Sequence, residues 1–230
     1  MRVKHWIKNI ISIISLIVLT SGTVFAGPVI GGTRIIYDGN KKEASVSIKN
    51  PEKNNVYLIQ SWIDAGDGFK TKAPFIVTPP LFRIEPNDEN ILRIVRVGGN
   101  LPEYKESVFW LNVKSIPAST DANRNNVLQI VIKSRLKLFY RPRGLSGNPM
   151  EAYKKLIFTK NGKQLIVKNP TPYYVTFYNL NIGGTDIKEA NLVPPMGSVS
   201  FNFKPTSNSK VTWKVINDFG GVSKPETNNI

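Results

Sequence analysis

One tetrapeptide, Ser134-Arg135-Leu136-Lys137, has the spacing of a catalytic serine–lysine pair. In serine–lysine hydrolases this S-x-x-K pattern works together with S-D-N and K-T-G motifs elsewhere in the chain, and its serine begins a helix. Here the tetrapeptide lies in a run rich in β-formers, and neither companion motif occurs. We therefore do not expect a serine–lysine hydrolase.

Other nucleophilic and metal-binding side chains are scarce. The chain has no cysteine, and its one histidine, His5, lies close to the N-terminus. The rest of the chain has neither histidine nor cysteine. This excludes Ser–His and Cys–His catalysis there, together with the ordinary zinc and copper sites. Only carboxylate, lysine or tyrosine chemistry remains. We predict that the protein is not an enzyme and needs no cofactor or metal.

The first 26 residues have the composition of a secretion signal. Arg2, Lys4 and Lys8 precede an apolar run over 10–19, and 24–26 fit a small-x-small cleavage site. The apolar run is short for a membrane span of about 20 residues, and no charged stop follows it. We predict that residues 1–26 are removed on secretion, with no stable membrane insertion afterwards.

The net charge is strongly positive. It is +15 for the whole chain, and the first 26 residues hold three of the cations and no acid, which leaves +12. Such a charge suits nucleic acid, anionic lipid or an acidic protein. Export argues against nucleic acid, and the basic residues are dispersed along the sequence. The charge indicates a solvated basic surface, with electrostatic steering of a partner as a further hypothesis.

Beyond residue 26 the chain has the pattern of short strands separated by turns. Turn signals recur about every 8–12 residues, and no stretch of ten shows a helical stripe, which predicts β-sandwich domains. Candidate strands are 44–49, 56–63, 92–97, 108–113, 127–140, 155–159, 164–168, 173–180, 199–203 and 211–216. The Gly- and Pro-rich stretch 141–149 is typical of a domain boundary. We place the first domain at 27–146 and the second at 147–230.

The run 127–140 is the longest candidate strand. One parity is nearly all apolar and the other mixes apolar with basic residues, and the two parities of a strand face opposite sides. The apolar parity holds Leu128, Ile130, Ile132, Ser134, Leu136 and Leu138. This run is either a core strand with one solvated face or an edge strand that lends its apolar row to a partner. The residues alone leave both open.

The sequence resembles the periplasmic pilus-assembly chaperones of the PapD-like family over essentially all of 27–230. The strongest stretches are 126–130 (NVLQI) and 137–142 (KLFYRP). Further matches, in the same order along the chain, are Thr33-Arg34, Thr78-Pro79-Pro80, 83–86, Glu106-Ser107, 169–174 and 216–221. The absence of cysteine and the length of the 118–126 stretch favour the short-loop (FGS) branch of the family.

The resemblance implies an all-β chain of two immunoglobulin-like β-sandwich domains, joined at an angle with a cleft between them. Arg34 and Lys137 match two basic residues that bind the C-terminal carboxylate of a pilus subunit in that cleft. Leu128, Ile130 and Ile132 match donor residues, which fill the groove of a subunit that lacks its last strand.

A second set of matches concerns the joint between the domains. Glu106, Arg141 and Asp218 match charged residues that fix the interdomain angle in this family. The resemblance also suggests a cis Thr78–Pro79 peptide bond.

The predicted function is that of a periplasmic chaperone of the chaperone–usher pathway. It would stabilise pilus subunits by donor-strand complementation and deliver them to an outer-membrane usher. The alternative is a structural pilus subunit or another secreted β-sandwich binding protein, although 27–32 are too short and glycine-rich for the N-terminal extension of a pilin. An exposed apolar edge also permits weak self-association.

Overall fold

The computed structural model describes residues 27–66, 72–118, 129–204 and 209–230, which form two β-sandwiches and confirm the all-β prediction. The predicted signal, residues 1–26, lies outside the described residues. The first sandwich holds β1 (Val29–Ile30), β2 (Arg34–Asp38), β3 (Glu43–Lys49), β4 (Tyr57–Asp64), β5 (Phe75–Thr78), β6 (Leu81–Ile84), β7 (Glu89–Arg96), β8 (Ser107–Pro117) and β9 (Ile132–Arg141).

The second sandwich begins with a 3₁₀ helix over Pro149–Lys155. Its strands are β10 (Ile157–Asn161), β11 (Gln164–Asn169), β12 (Val175–Ile182), β13 (Thr185–Asp186), β14 (Leu192–Val193), β15 (Gly197–Asn202), β16 (Lys210–Val215) and β17 (Glu226–Asn229). In the part of the chain that the structure describes, no helix has the length and apolar character to cross a membrane.

The N-terminal segment divides between the two sheets of the first domain. β1 joins the sheet β1-β3-β7-β5, whereas β2 joins β2-β9-β8-β4-β6 and runs parallel to β9. The chain crosses between the sheets at Gly31 and Gly32. A Cβ on Gly31 would lie 2.4 Å from Ser47 Oγ, and Gly32 has φ +139°, so both positions suit glycine.

Alternation along the strands builds the core of the first domain. In β9 the side chains of Leu136 and Leu138 point inward, and Leu138 is fully buried. Around them lies a cluster of aromatic rings with centres 5.0–6.1 Å apart, made of Tyr37, Phe75, Phe109 and Tyr140. The opposite face of β9 therefore points away from the core and can contact other parts of the protein or a partner.

The second domain pairs the sheets β10-β11-β15 and β13-β12-β16-β17, with β14 also on β12. The Asn161-Gly162 turn signal closes the β10–β11 hairpin, with Gly162 at φ +57°. The 3₁₀ helix was not predicted, because seven residues are too few to show a helical period. Asn148 caps this helix by accepting a hydrogen bond from Met150 N, and Trp213 Nε1 ties it to the core by donating to Tyr153 O (3.1 Å).

The strand predicted over 127–140 corresponds to β9, which begins only at Ile132. Its last pairing with β8 joins Ile132 to Ser115, and β8 ends two residues later at Pro117, whose ring leaves no N–H for a ladder. At 11 residues β8 is also longer than β9, contrary to our expectation. The Thr78–Pro79 peptide bond is cis, as the resemblance suggests.

The burial of Leu138 gives a test of this packing. Leu138→Ala should lower the free energy of unfolding by about 2–5 kcal/mol, because it leaves a cavity in a closed core. Urea unfolding followed by circular dichroism measures the change. Leu81→Ala is the control, because Leu81 is 54% exposed and its loss should cost less than about 0.5 kcal/mol. Equal losses in the two variants would contradict the assigned packing.

Candidate functional site

The two domains meet over the end of β9 that is paired with β2. Arg34 and Lys137 are Cα partners in this parallel pairing. Because the neighbouring Ile35 and Leu138 point into the core, Arg34 and Lys137 project from the opposite face, toward the second domain. The structure thus places these two predicted site residues side by side in an interdomain cleft.

Arg34 is held by carbonyl and hydroxyl oxygens of the second domain. Its Nη1 donates to Ile216 O (2.9 Å) and to Thr176 Oγ1 (3.4 Å), and the guanidinium lies 5.9 Å from the centre of the Phe139 ring. Nε is buried and has no hydrogen-bond partner among the described residues. Burial lowers the pKa of Arg34, and the charge of Asp218 opposes that shift.

Lys137 has one neutral hydrogen-bond partner and one aromatic neighbour. Its Nζ donates to Asn191 Oδ1 (3.2 Å) from the second domain and lies 5.3 Å from the centre of the Trp110 ring. Burial lowers the pKa of Lys137, and the nearby charge of Arg34 lowers it further. No carboxylate of the described residues forms an ion pair with either Arg34 or Lys137. An anion in the cleft would therefore stabilise both cations.

The three charged residues predicted at the joint form one network across the domains. Arg141 Nε donates to Glu106 Oε1 (2.6 Å), and its Nη1 and Nη2 donate to Asp218 Oδ2 (2.7 Å) and Oδ1 (3.1 Å). Glu106 Oε2 also accepts a hydrogen bond from Tyr174 N of the second domain (2.7 Å). The guanidinium thus bridges one carboxylate from each domain. Its two hydrogen bonds to Asp218 have the bidentate geometry for which arginine is well suited.

Burial and charge both shift the pKa values of this network. Glu106 is only 3% exposed, and burial raises the pKa of its carboxyl although Arg141 opposes the shift. Burial alone would lower the pKa of Arg141, but hydrogen bonds and charge from Asp218 and Glu106 outweigh it and raise that pKa. The carboxylate of Glu106 therefore depends on the guanidinium for its stability in the folded protein.

The loop that carries Asp218 rests on the first domain. Asn217 Oδ1 accepts hydrogen bonds from Phe219 N (3.0 Å) and Gly221 N (2.9 Å) and so closes the loop. Gly220 has φ +82°, and a Cβ there would lie 2.6 Å from Thr33 Oγ1. This close approach places the loop against the residue next to Arg34.

An open strand edge lies beside the predicted donor residue Ile132. β2 pairs only with Lys137–Arg141, so the preceding residues of β9 have no strand partner on that side among the described residues. Ile132, the first residue of β9, is 45% exposed and shares the parity of the buried Leu136 and Leu138, so it continues the apolar row of the core beyond its end. Ile130 is 67% exposed and precedes the strand. The third predicted donor, Leu128, lies outside the described residues.

Sequence reasoning missed two residues beside Lys137. Asn191 lies in a segment without a motif, and only the folded second domain brings it to the lysine. Trp110 lies in the predicted strand over 108–113, to which the sequence assigns no role in binding. It is the Cα partner of Lys137 across the β8–β9 pairing, and this register would have revealed the contact. Among the described residues, no group of three His, Cys, Asp or Glu side chains could hold a metal ion.

Family models match both domains of this architecture. Residues 27–146 match the N-terminal domain of PapD, described as a pili and flagellar-assembly chaperone, and residues 151–227 match the C-terminal domain of the pili assembly chaperone PapD. The chain belongs to the PapD family of pilus-assembly chaperones. Family membership therefore agrees with the two-sandwich fold.

Named relatives of this PapD-family chaperone are chaperones too. It is 45% identical over 221 residues to the probable fimbrial chaperone LpfB of Escherichia coli O157:H7, which covers 94% of this chain and 95% of the relative. It is also 42% identical over 212 residues to the chaperone protein FimC of Escherichia coli K12, and the match covers 91% of this chain and 87% of FimC.

Solved structures show the same similarity. A chain of the Salmonella enterica SafA pilin–SafB chaperone complex superposes with a TM-score of 0.82 at 35% identity, covering 91% of this chain and 99% of that one. The periplasmic chaperone SfaE superposes with a TM-score of 0.77 at 40% identity, and the match covers 89% of this chain and 100% of SfaE.

Arg141→Met tests the interdomain network. It should lower the free energy of unfolding by about 3 kcal/mol at neutral pH, because it leaves the Glu106 carboxylate buried without its cation. Since burial already raises the pKa of Glu106, this loss should narrow as the pH falls from about 8 to about 5 and the carboxyl takes up a proton. Chemical denaturation across that pH range measures the change.

The double variant Glu106→Gln with Arg141→Met is the matched control, since it has no buried carboxylate to protonate at position 106. Its stability relative to the Glu106→Gln single variant should lack this pH dependence. If the loss in free energy of unfolding caused by Arg141→Met stayed constant with pH, the role assigned to Glu106 would be wrong.

Proposed function

We propose that this chaperone acts in the periplasm after removal of residues 1–26, where it holds pilus subunits by adding β9 to them and delivers them to an outer-membrane usher. The observation that carries the proposal is a pair of half-buried cations, Arg34 and Lys137, that form no ion pair with the described carboxylates and lie at the end of an open strand edge. The likeness to a chaperone solved with a pilin supports the same partner. The mechanism requires no nucleotide, metal or other cofactor.

The cations suit the C-terminal carboxylate of a subunit. A strand that adds to the open edge and ends in the cleft has its terminal carboxylate beside Arg34 and Lys137. Hydrogen bonds from two cations to a carboxylate have charge on both the donor and the acceptor, and they are stronger than the bond that Lys137 makes to the neutral amide oxygen of Asn191. Because the site is half-buried, this attraction is screened less than at an open surface.

The anchor also sets the register of the added strand. Ile132 precedes Lys137 by five residues, which corresponds to about 16 Å along a strand. A slip of one residue would turn the subunit's apolar side chains to the wrong face. Fixing the carboxylate therefore brings the correct side chains of the subunit beside Ile130 and Ile132.

The donor side chains supply apolar burial. Ile130 and Ile132 are largely exposed in the free chaperone, and full burial of such a side chain contributes about 1.5–3 kcal/mol before entropy costs. The main chain of the open edge adds hydrogen bonds to the subunit, as in other cases of β-strand addition. The same edge permits weak pairing with a second copy of the chaperone in the absence of a subunit.

Removing either cation should strongly weaken capture of a subunit. In Lys137→Ala and Arg34→Ala, co-purification from periplasm with a subunit of the same gene cluster should fall at least tenfold, because the terminal carboxylate loses a charge-assisted partner. Lys168→Ala is the control, since Lys168 is an exposed lysine of β11. Circular dichroism verifies folding. Undiminished capture by both cleft variants would refute the anchor.

A charge in the donor row should also block capture. Ile132→Asp places a carboxylate where the subunit presents an apolar groove, and burying it unpaired is too costly for stable binding. Ile157→Asp is the matched control, because Ile157 is 49% exposed on β10, away from the open edge. If both variants retained normal one-to-one complexes, the donor role of Ile132 would be wrong.

A further inference from the structure

The outer face of β9 carries a row of cations that the anchor and donor roles leave unexplained. Lys133, Arg135 and Lys137 alternate along the strand on the face opposite Leu136 and Leu138. Lys137 lies in the cleft, but Lys133 and Arg135 lie beside the open edge. We call Lys133, Arg135 and Lys137 the basic row.

Aromatic rings hold the basic row against the sheet. Lys133 Nζ lies 5.2 Å from the centre of the Trp62 ring, and the Arg135 guanidinium lies 4.5 Å from that of Trp110. Lys133 remains exposed, and the Arg135 side chain is 30% exposed. Contacts of this kind fix the direction of a cation without removing it from solvent. The charges are therefore presented along the edge in a defined geometry.

Acidic groups compensate this row only in part. Arg135 forms an ion pair with Asp64 (3.0 Å), whereas Lys133 forms none with the residues that the structure describes. The Cα partner of Lys133 on β8 is another lysine, Lys114. On this face the next strand, β4, contributes the uncharged Gln60 opposite Lys114. The region around Lys133 thus has an excess of positive charge directly beside the open edge.

The direction of an added strand determines what lies beside Lys133. β9 runs toward the cleft, so a strand whose C-terminus reaches Lys137 must run parallel to it. Its side chains alternate in step with those of β9. If its last residue lies beside Lys137, the fourth residue before the last lies beside Lys133, on the same outer face.

We infer that Lys133, supported by Lys114, is a specificity-determining residue that selects subunits with an acidic side chain four residues before their C-terminal residue. This inference rests on the proposed function, because it assumes the anchored, parallel strand. Opposite charges side by side on neighbouring strands attract, and like charges repel. A subunit with a basic residue at that position is therefore disfavoured.

Peptide binding to the full mature chaperone tests the inference. The probes are 14-residue peptides of alternating Val and Thr with a free C-terminus, an N-terminal fluorophore and Glu, Gln or Lys four residues before the last. Fluorescence anisotropy should show the Glu peptide binding about five- to tenfold more tightly than the Lys peptide. The preference should shrink as the salt concentration rises from about 0.05 to 0.5 M.

Exchanging the charge on the chaperone should reverse this preference. Lys133→Glu should bind the Lys peptide more tightly than the Glu peptide, whereas the control Lys168→Glu should keep the original order. Lys133 is exposed, so its substitution leaves the core intact. Equal binding of the three peptides, or an unchanged order in Lys133→Glu, would overturn the inference.

A further probe separates this inference from the proposed function. An amidated Glu peptide lacks the terminal carboxylate and should bind at least tenfold more weakly than the free acid. If amidation weakens binding but the three free-acid peptides bind equally, the anchor holds and the role of Lys133 fails. If amidation has no effect, the anchored register fails, and the inference fails with it.

Discussion

The parallel pairing of β2 with the second half of β9 is the constraint on which the cleft depends. It sets Arg34 beside Lys137, so one strand pairing creates a double cation from residues about 100 positions apart in sequence. Because the chain before Thr33 crosses to the other sheet at Gly31 and Gly32, β2 cannot continue along β9. The same crossing that supplies the second cation therefore also leaves the strand edge open.

The second domain encloses two cations of the first domain in a cleft. Its Thr176, Asn191 and Ile216 supply the oxygens that hold Arg34 and Lys137, and all of these oxygens are uncharged. Partial burial without an ion-pair partner makes the cations costly in the free chaperone, although the more distant charge of Asp218 offsets part of this cost at Arg34. In the proposed function an arriving carboxylate removes that cost, so the cleft itself recognises the end of a chain.

The alternation of apolar and polar residues predicted many of the strands and the apolar face of β9, because a two-residue period depends only on local sequence. The residues alone did not predict that β9 has an open edge, because strand pairing joins distant segments. The resemblance assigned the site residues, and the structure brings them together in two groups. Arg34 lies beside Lys137, and Arg141 joins Glu106 to Asp218. Asn191 and Trp110 were missed, since their roles arise only from the domain packing and from the β8–β9 register.

Phe139 shows what the joint between the domains means for the protein as a whole. It lies on the outer face of β9, yet it is 3% exposed because the second domain covers it, with the Tyr174 ring 5.6 Å away. Unfolding the second domain alone would uncover this ring and take Asp218 from Arg141. The consequence is thermodynamic coupling: the loss of one sandwich lowers the stability of the other.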